Sequence, residues 1–355
     1  LWAYLREGKE ILSFTYSKPW LQRPESSLVK IALKEDILKY LKDLKPSYWE
    51  RFLMQKEENK KAEKLKKQPR ILWEIDYLLE VNDEVRQGAF RFSKSLNGPY
   101  LAEKAIPSFT DLSFPLESLE LLLPSNRPKI LIKDEDGELS IAKLSREGNE
   151  LNFVVWEAVA LTLAKNAGIN TNKWRLEIIK GKPALIIKRF DRKQGKRIPF
   201  LSAMSILNID SNTDRNYLEI VHAIFKNGGS PAEDVEELWR RMVFNILINN
   251  VDDHFKNHAF LYDNCVGWRL SPVYDLNPTP LESKHQVLTT FIDEHGSERS
   301  LETAFSIIGE CKISKKRAET IVEEVKASVC CWQKVAKGFG LEKKEIDVMA
   351  SAFKV

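Results

Sequence analysis

Polar side chains are concentrated in the stretch NNVDDHFKNHAFLYD, directly after the apolar residues Ile246 to Ile248. Asp252 and Asn257 lie five residues apart, and Asp275 follows 18 residues later within the apolar frame VYDL. Phosphoryl transfer from a nucleotide needs a carboxylate that orients the attacking hydroxyl, and an amide and a second carboxylate that bind magnesium. The protein-kinase catalytic loop has the same five-residue offset between Asp and Asn. The spacing therefore fits kinase chemistry.

A metal hydrolase is a second interpretation of the same stretch. His254 and His258 have the i, i+4 spacing that presents two ligands on one helical face, and Asp252 and Asp253 supply carboxylates nearby. However, HFKNH lacks the glutamate of the HExxH motif, and Lys256 would place a cation beside the metal. The sequence favours the kinase interpretation, in which both histidines have supporting roles.

The elements that must position these residues lie upstream. PKILIKDEDGELSIAKLS alternates apolar and polar residues about the turn Asp134 to Gly137, which predicts a β-hairpin. NFVVWEAVALTLAKNAGI predicts an apolar helix that ends near Gly168. WRLEIIK and ALIIKRFDR predict two strands joined by a turn at Gly181. The order β, β, α, β, β places Lys143 on a strand and Glu157 on the following helix, as in the small lobe of a kinase.

The rest of the chain predicts further subdomains around this section. Residues 1–103 contain a predicted hairpin around Gly8, a turn at Asn97-Gly98 and a lysine-rich stretch that we interpret as a solvated helix face. The residues from about 201 onward have mostly helical patterns. We predict an α+β, bilobal, protein-kinase-like fold with a small mixed-sheet lobe, a mostly helical lobe and an extra N-terminal β-rich subdomain. Its predicted parts are 1–103, a connector with the phosphate-loop region at 104–127, the small lobe at 128–192 and the helical lobe at 193–355.

Composition excludes few classes of function. The 355 residues include 55 basic and 51 acidic side chains, and a net charge of +4 is too small to indicate nucleic-acid binding by charge alone. Four cysteines without CxxC spacing predict reduced thiols in a cytoplasmic protein. The sequence has no apolar run of about 18 residues and no signal-peptide pattern at its start.

Several motifs in the same order resemble one family. VDDHFKNHAFLYD together with GWRLSPVYDLNP is similar to the HipA-like serine/threonine kinases, the toxin halves of bacterial HipA–HipB toxin–antitoxin modules. The resemblance extends over nearly the whole chain, through LSFTYSKPWL, NDEVRQGAFRF, RPKILIKDEDGELSIAKL, WEAVALTLAKNAGI, IIKRFDR and LSAMSILNI. An ordered set of motifs is much more specific than the Asp-x4-Asn spacing.

The resemblance implies a role for each candidate residue. Two are implied to be catalytic, with Asp252 as the base and Lys256 facing the transferred phosphate. Two are implied to bind magnesium, namely Asn257 and Asp275. The nucleotide-binding residues are implied to be Lys143 on the ATP phosphates, Glu157 as its helix partner, and Lys188 and Phe190 in the connector that contacts adenine.

The resemblance also implies partners. These are ATP and Mg²⁺, a protein substrate such as an aminoacyl-tRNA synthetase, and a HipB-like DNA-binding antitoxin through which DNA is contacted indirectly. No membrane is implied. The family's kinase lobes also resemble lipid kinases of the phosphatidylinositol type, so the catalytic loop by itself does not name the acceptor. The competing class is a catalytically weak, kinase-like interaction protein.

One departure from the family precedes the hairpin. The family has a glycine-rich loop there, which holds phosphates and includes an autophosphorylated serine, whereas LLLPSNRPK contains no glycine. A cradle of backbone N–H groups needs residues without bulky side chains near the phosphates. Either the protein lacks this cradle or the loop is missing from the sequence, and a chain that starts at Leu1 rather than Met favours the second explanation. Ser125 borders the region.

Overall fold

The protein is described from a computed structural model. The described residues are 2–6, 9–13, 22, 41–46, 48–93, 99–102, 129–145, 151–210, 213–263, 265–282, 290–296 and 299–355. The chain divides into two compact units, Leu1–Ile106 and Pro107–Val355. The predicted connector and phosphate-loop region, 104–127, and the predicted turn at Asn97-Gly98 lie outside the described residues.

The first unit contains one hairpin and two helices among its described residues. Strands β1 (Trp2–Arg6) and β2 (Lys9–Ser13) pair antiparallel, which confirms the predicted hairpin. A 3₁₀ turn (Leu41–Leu44) precedes helices α1 (Tyr48–Lys64) and α2 (Glu74–Glu80). The lysines of α1 are exposed, as predicted for a solvated face. Much of 14–40 lies outside the described residues, so a β-rich character for this unit stays a prediction.

The described part of the second unit begins with a four-stranded sheet whose order is β3-β4-β6-β5. Its strands are β3 (Lys129–Lys133), β4 (Leu139–Leu144), β5 (Trp174–Ile179) and β6 (Lys182–Lys188), and helix α3 (Phe153–Asn166) lies between β4 and β5 in sequence. The predicted order β, β, α, β, β is confirmed. All three strand pairings are antiparallel, where a mixed sheet was expected, because each hairpin reverses the chain and β6 inserts between β4 and β5.

Alternation of side chains along the strands gives this sheet two apolar faces. Ile132, Ala142 and Ile186 belong to a small cluster on one face. Leu185 and its partly buried neighbour Ile187, which point the other way, join the main core that contains α3. Helix α3 is apolar along nearly its whole length because it is covered by the sheet and by other helices. The sheet and α3 together fix the positions of β4 and of the first turns of α3.

The remainder of the second unit is mostly helical, as predicted. Helix α6 (Pro231–Leu247) is its longest helix among the described residues, and Asn249, with φ of 47°, ends it in the left-handed conformation that asparagine tolerates better than most residues. The other elements are β7 (Arg192–Lys193), β8 (Lys196–Arg197), β9 (Phe200–Ser202), α4 (Ala203–Ile206), α5 (Tyr217–Asn227), a 3₁₀ turn (Phe255–Asn257), β10 (Ala259–Asp263), β11 (Gly267–Leu270), α7 (Leu301–Ser306), α8 (Lys315–Val329), α9 (Trp332–Gly338), α10 (Lys343–Met349) and a 3₁₀ turn (Ala350–Ala352).

Strands β9, β10 and β11 form a three-stranded antiparallel sheet, and β10 begins directly after the polar loop 249–258. Ser271 N–H donates to the Ala259 carbonyl at 2.8 Å, which brings the segment after β11 back beside the loop. None of the helices in the described part of the chain combines the length and the apolar character that crossing a membrane requires.

Candidate active site

Three candidate residues from distant parts of the sequence meet at one ammonium group. Lys143 Nζ on β4 donates to both carboxylate oxygens of Glu157 on α3, at 2.7 and 2.9 Å. The same ammonium is hydrogen-bonded to the Asp275 carboxylate, although the two residues are 132 positions apart in the chain. Packing of α3 against the sheet thus places the strand lysine and the helix glutamate as the sequence predicts.

Charge dominates the chemistry of this cluster. Burial by itself lowers the pKa of the Lys143 ammonium, but the carboxylates of Asp275 and Glu157 together raise it above its ordinary value, so the group stays protonated. The three side chains then hold one positive and two negative charges. The Glu157 side chain is only 4% exposed, whereas that of Asp275 is 38% exposed. The accessible carboxylate of the cluster is therefore Asp275.

Asp275 also has an unusual backbone. Its φ is 57°, a left-handed conformation that costs energy for a residue with a side chain. Val273 N–H donates to the Asn170 carbonyl at 2.8 Å, and Asn277 Nδ2 donates to the Asp275 carbonyl at 3.1 Å. These bonds hold the segment on both sides of Asp275 and fix its carboxylate beside Lys143.

The polar loop that follows α6 presents its residues unequally. Asp252 and Lys256 are exposed, whereas Asn257 is buried. Asn257 Nδ2 donates to the Asp252 carbonyl at 3.0 Å across the loop. Because the amide nitrogen is used in this bond, the amide oxygen is the atom that Asn257 offers to a cation. The Lys256 carbonyl accepts a 2.5 Å hydrogen bond from Tyr274 Oη, which ties the loop to the residue directly before Asp275.

A buried network lies beneath the loop and is centred on Asp253. This carboxylate accepts from Tyr217 Oη and from His258 Nε2, the latter at 3.1 Å. Asn245 Nδ2 donates to Tyr217 Oη at 3.2 Å, and Thr290 Oγ1 donates to the Asp253 carbonyl at 2.7 Å. The adjacent carboxylates of the sequence thus have opposite environments: Asp252 is exposed and Asp253 is 3% exposed.

The electrostatics of this network keep Asp253 ionised. Burial raises the pKa of the Asp253 carboxyl, but the charge and hydrogen bond of His258, the charge of Arg299 and the Tyr217 hydroxyl outweigh it and lower the pKa to about 2. Burial, together with the Asp253 charge, raises the pKa of the Tyr217 phenol well above its ordinary value. Arg299 also donates to the Asn250 carbonyl at 2.6 Å. An ionised, hydrogen-bonded anchor therefore supports the loop from below.

The predicted connector residues lie at the end of β6 and just beyond it. Lys188 Nζ bonds to Asp136 in the β3–β4 turn at 2.5 Å, and the Lys188 carbonyl accepts from the Asn172 side chain. The pKa of Lys188 is raised by its hydrogen bond to Asp136. The Phe190 ring lies 5.5 Å from that of Tyr274, next to Asp275. Phe190 is thus near the charged cluster, whereas the Lys188 ammonium is directed to the hairpin turn.

The histidine pair predicted by the metal-hydrolase alternative does not lie on one helical face. Phe255–Asn257 forms a 3₁₀ turn and β10 begins at Ala259, so His254 and His258 flank the turn. Within the described ranges, no group of three or more His, Cys, Asp or Glu side chains is placed to hold a metal ion. The i, i+4 interpretation is wrong because the chain leaves the helical path at Asn249, before the first histidine.

Sequence reasoning missed most members of the buried network. Tyr217, Asn245, Thr290 and Arg299 come from separate elements, and nothing in their local sequence marks them as neighbours of Asp253. The adjacent Asp252 and Asp253 were the one signal in the sequence for this network. Phosphotransfer needs a single carboxylate as the base, so a second Asp beside it indicates a different role.

The fold is that of a known class of α+β proteins. The chain is similar to HipA in the solved structure of the Shewanella oneidensis MR-1 toxin–antitoxin system complex of HipA, HipB and its operator DNA. The TM-score is 0.59, at 16% sequence identity over 78% of this chain and 75% of that chain. A likeness at this identity shows a shared fold, and it confirms the predicted α+β class.

The family follows from the sequence itself. Residues 124–332, more than half of the chain, match the model of the HipA-like C-terminal domain. The chain belongs to the HipA-like C-terminal domain family. The resemblance seen in the motifs between residues 124 and 332 is thereby confirmed.

Two curated proteins from Sinorhizobium fredii (strain NBRC 101917 / NGR234) are also similar to the chain. "Putative kinase Y4mE" is 25% identical over 183 residues, which is 46% of this chain and 43% of that protein. "Putative kinase Y4dM" is 30% identical over 137 residues, which is 35% of this chain and 33% of that protein. The chain thus spans less than half the length of each of these relatives.

Proposed function

We propose that the chain is an ATP- and magnesium-dependent serine/threonine protein kinase of HipA type. The observation that carries the proposal is the Lys143 ammonium bonded to Glu157 on one side and to Asp275 on the other. A lysine held in this way is positioned by Glu157 while Asp275 stays accessible for a cation. The exposed carboxylate of Asp252, on the loop that also carries Asn257, supplies a proton acceptor.

The oxygen atoms available in the site fit magnesium. Asp275 offers a carboxylate and Asn257 an amide oxygen, and magnesium in nucleotide sites is bound by one or two such protein groups together with the phosphates. The excess negative charge of the Lys143 cluster favours a cation at the same place. When bound, magnesium offsets negative charge on the phosphates during transfer.

The residues of the chain then act as follows. Lys143 contacts the ATP phosphates, and the connector containing Lys188 and Phe190 contacts adenine. Asp252 orients the substrate hydroxyl and accepts its proton, while the hydroxyl oxygen forms a bond to the γ-phosphorus and the bond between that phosphorus and the ADP oxygen breaks. Lys256, exposed on the same loop, faces the transferred phosphoryl group.

The biological setting is proposed from the family. The substrate is a translation-related protein such as an aminoacyl-tRNA synthetase, phosphorylated on serine or threonine, and the chain is a cytoplasmic toxin neutralised by a HipB-like DNA-binding antitoxin. The solved complex of HipA with HipB and operator DNA supports such a partner, with DNA contacted indirectly. The fold that the two proteins share supports transfer of this arrangement to the present chain.

Nucleotide binding and phosphate incorporation test the proposal. We expect ATP with Mg²⁺ to raise the Tm of the unmodified chain, and labelled γ-phosphate to appear on protein. Asp252→Asn keeps the shape of the residue but cannot accept the hydroxyl proton, so it should abolish transfer and leave the ATP–Mg²⁺ thermal shift in place. Absence of both the shift and the incorporation in the unmodified chain would refute the kinase proposal and favour an interaction protein on a kinase-like fold.

The toxin role has its own test. Expression of the unmodified chain should arrest growth, and expression of Asp252→Asn at the same level should not. Arrest by both proteins would mean that growth inhibition does not depend on phosphotransfer.

A further inference from the structure

The C-terminal segment, residues 343–354, contacts three chain segments that carry or adjoin candidate active-site residues. Those segments are the first turns of α3, which carry Glu157; the end of α6, which leads into the Asp252 loop; and the stretch that follows Asp275. The match to the HipA-like family model ends at residue 332, so this segment lies beyond it.

The first contact is at the start of α3. Glu345 Oε1 accepts from the Asn152 backbone N–H at 2.6 Å and from Trp156 Nε1 at 2.9 Å. Asn152 is the N-cap of α3, and Trp156 directly precedes Glu157. A carboxylate at a helix N-terminus satisfies a backbone donor that has no partner within the helix and interacts favourably with the helix dipole. Glu345 thus holds the turn from which Glu157 projects.

Aromatic packing reinforces this contact. The Trp332 and Phe353 rings stack with centroids 4.3 Å apart and an interplanar angle of 7°. Trp156 lies against both rings, with centroid distances of 6.2 Å to Trp332 and 6.1 Å to Phe353. All three side chains are buried, and Trp156 is 1% exposed. A displacement of residues 343–354 would open an apolar cavity directly beside α3.

The second and third contacts reach the loop and the Asp275 segment. Lys354 N–H donates to the Leu247 carbonyl at 2.8 Å, at the last residue of α6 and five positions before Asp252. Ser351 Oγ accepts from Leu281 N–H at 3.1 Å and donates to the Glu282 carboxylate at 2.6 Å. These bonds connect residues 343–354 to the end of α6, before Asp252, and to the segment that follows Asp275.

We propose that the C-terminal segment is a positioning element for phosphotransfer, and that Glu345 is a positioning residue which holds α3 so that Glu157 stays bonded to Lys143. The activity part of this proposal rests on the kinase function proposed above. The segment touches no candidate catalytic atom itself. It acts by fixing the distance between Glu157 and Lys143, and a misplacement of about 1 Å in such a site reduces the rate by a factor on the order of 100.

Three variants at two glutamates test the role of Glu345. Glu345→Ala removes the acceptor, Glu345→Gln keeps an oxygen that accepts from both donors, and Glu342→Ala makes the same truncation at an exposed residue just before α10. Two quantities are measured well below the Tm of each variant: hydrogen exchange of the backbone amides of residues 156–160, and kcat and KM of phosphotransfer.

We expect Glu345→Ala to speed amide exchange in α3 by about tenfold or more, because the first turn loses its anchor. It should lower kcat by about tenfold or more, with KM for the protein substrate unchanged within about twofold. Glu345→Gln should restore most of both quantities, and Glu342→Ala should match the unmodified chain. A merely structural role would lower the Tm without reducing kcat in the molecules that remain folded.

Equal exchange rates in Glu345→Ala and Glu342→Ala would overturn the proposal, as would faster exchange in Glu345→Ala with an unchanged kcat. If the unmodified chain transfers no phosphate, the proposed kinase function fails instead. The exchange comparison then still decides whether Glu345 holds α3, so failure of one proposal is not mistaken for failure of the other.

Discussion

Replacement of Asp253 by asparagine removes a buried negative charge beneath the loop that carries Asp252. The pKa of Asp253 is lowered from 3.8 to about 2 in the folded protein. Since one pKa unit corresponds to about 1.4 kcal/mol, this shift contributes roughly 2 kcal/mol to folding stability at neutral pH. The introduced amide would still accept from Tyr217, but it would leave His258 and Arg299 without their anionic partner. We therefore expect a loss of about 2–4 kcal/mol.

The assay is denaturant unfolding of the unmodified chain and of Asp253→Asn across a range of pH. The second unit, Pro107–Val355, contains the substitution, and a loss of about 2 kcal/mol in a unit of this size lowers its Tm by about 4–8 °C. Because the pKa of Asp253 is lowered in the folded protein, its carboxylate stabilises the fold at pH values above its ordinary pKa of 3.8. This stabilisation is lost as the pH falls towards 2. The stability gap between the two proteins should therefore shrink as pH falls below about 4.

Asp252→Asn is the matched control, because it makes the same chemical change at the neighbouring, exposed carboxylate. Its stability should stay within about 0.5 kcal/mol of the unmodified chain, although its phosphotransfer is lost. Two results would refute the reasoning: equal unfolding midpoints for Asp253→Asn and Asp252→Asn, or a stability gap that does not shrink as pH falls from about 4 towards 2. Either would mean that Asp253 is not an ionised anchor.

Three further predictions concern the charged cluster and the connector. Lys143→Met should abolish ATP binding measured by calorimetry, whereas Lys133→Met, at an exposed lysine at the far end of β3, should leave it unchanged; equal binding by both would exclude Lys143 from the nucleotide site. Asp275→Asn should raise the Mg²⁺ concentration for half-maximal phosphotransfer by about tenfold or more, since a carboxylate ligand is replaced by an amide; an unchanged Mg²⁺ titration would contradict its role as ligand. Lys188→Ala should change KM for ATP by less than about threefold, because its ammonium is held by Asp136; a larger change would place that ammonium on the nucleotide.

Local sequence determined a large part of the second unit. Period-two alternation along 129–144 and 174–188, with glycine in the left-handed conformation at 137 and 181, was enough to predict both hairpins. The apolar run with Asn152 before it and Gly168 after it predicted α3. These features depend on contacts between residues close in sequence, which explains why they are readable without the fold. The bilobal arrangement and the bounds of the four predicted parts stay predictions.

The sequence by itself determined which residue types are present and in which order: a strand lysine, a helix glutamate, the Asp-x4-Asn loop and a later Asp. Only the tertiary structure decided which of the two adjacent carboxylates is buried, because burial of Asp253 depends on Tyr217 and Arg299 arriving from separate elements. It also decided that Glu345 supports the helix of Glu157, across 193 positions from its backbone partner. A sequence pattern records the period of a helix or strand, whereas contacts between distant residues arise only when the elements pack.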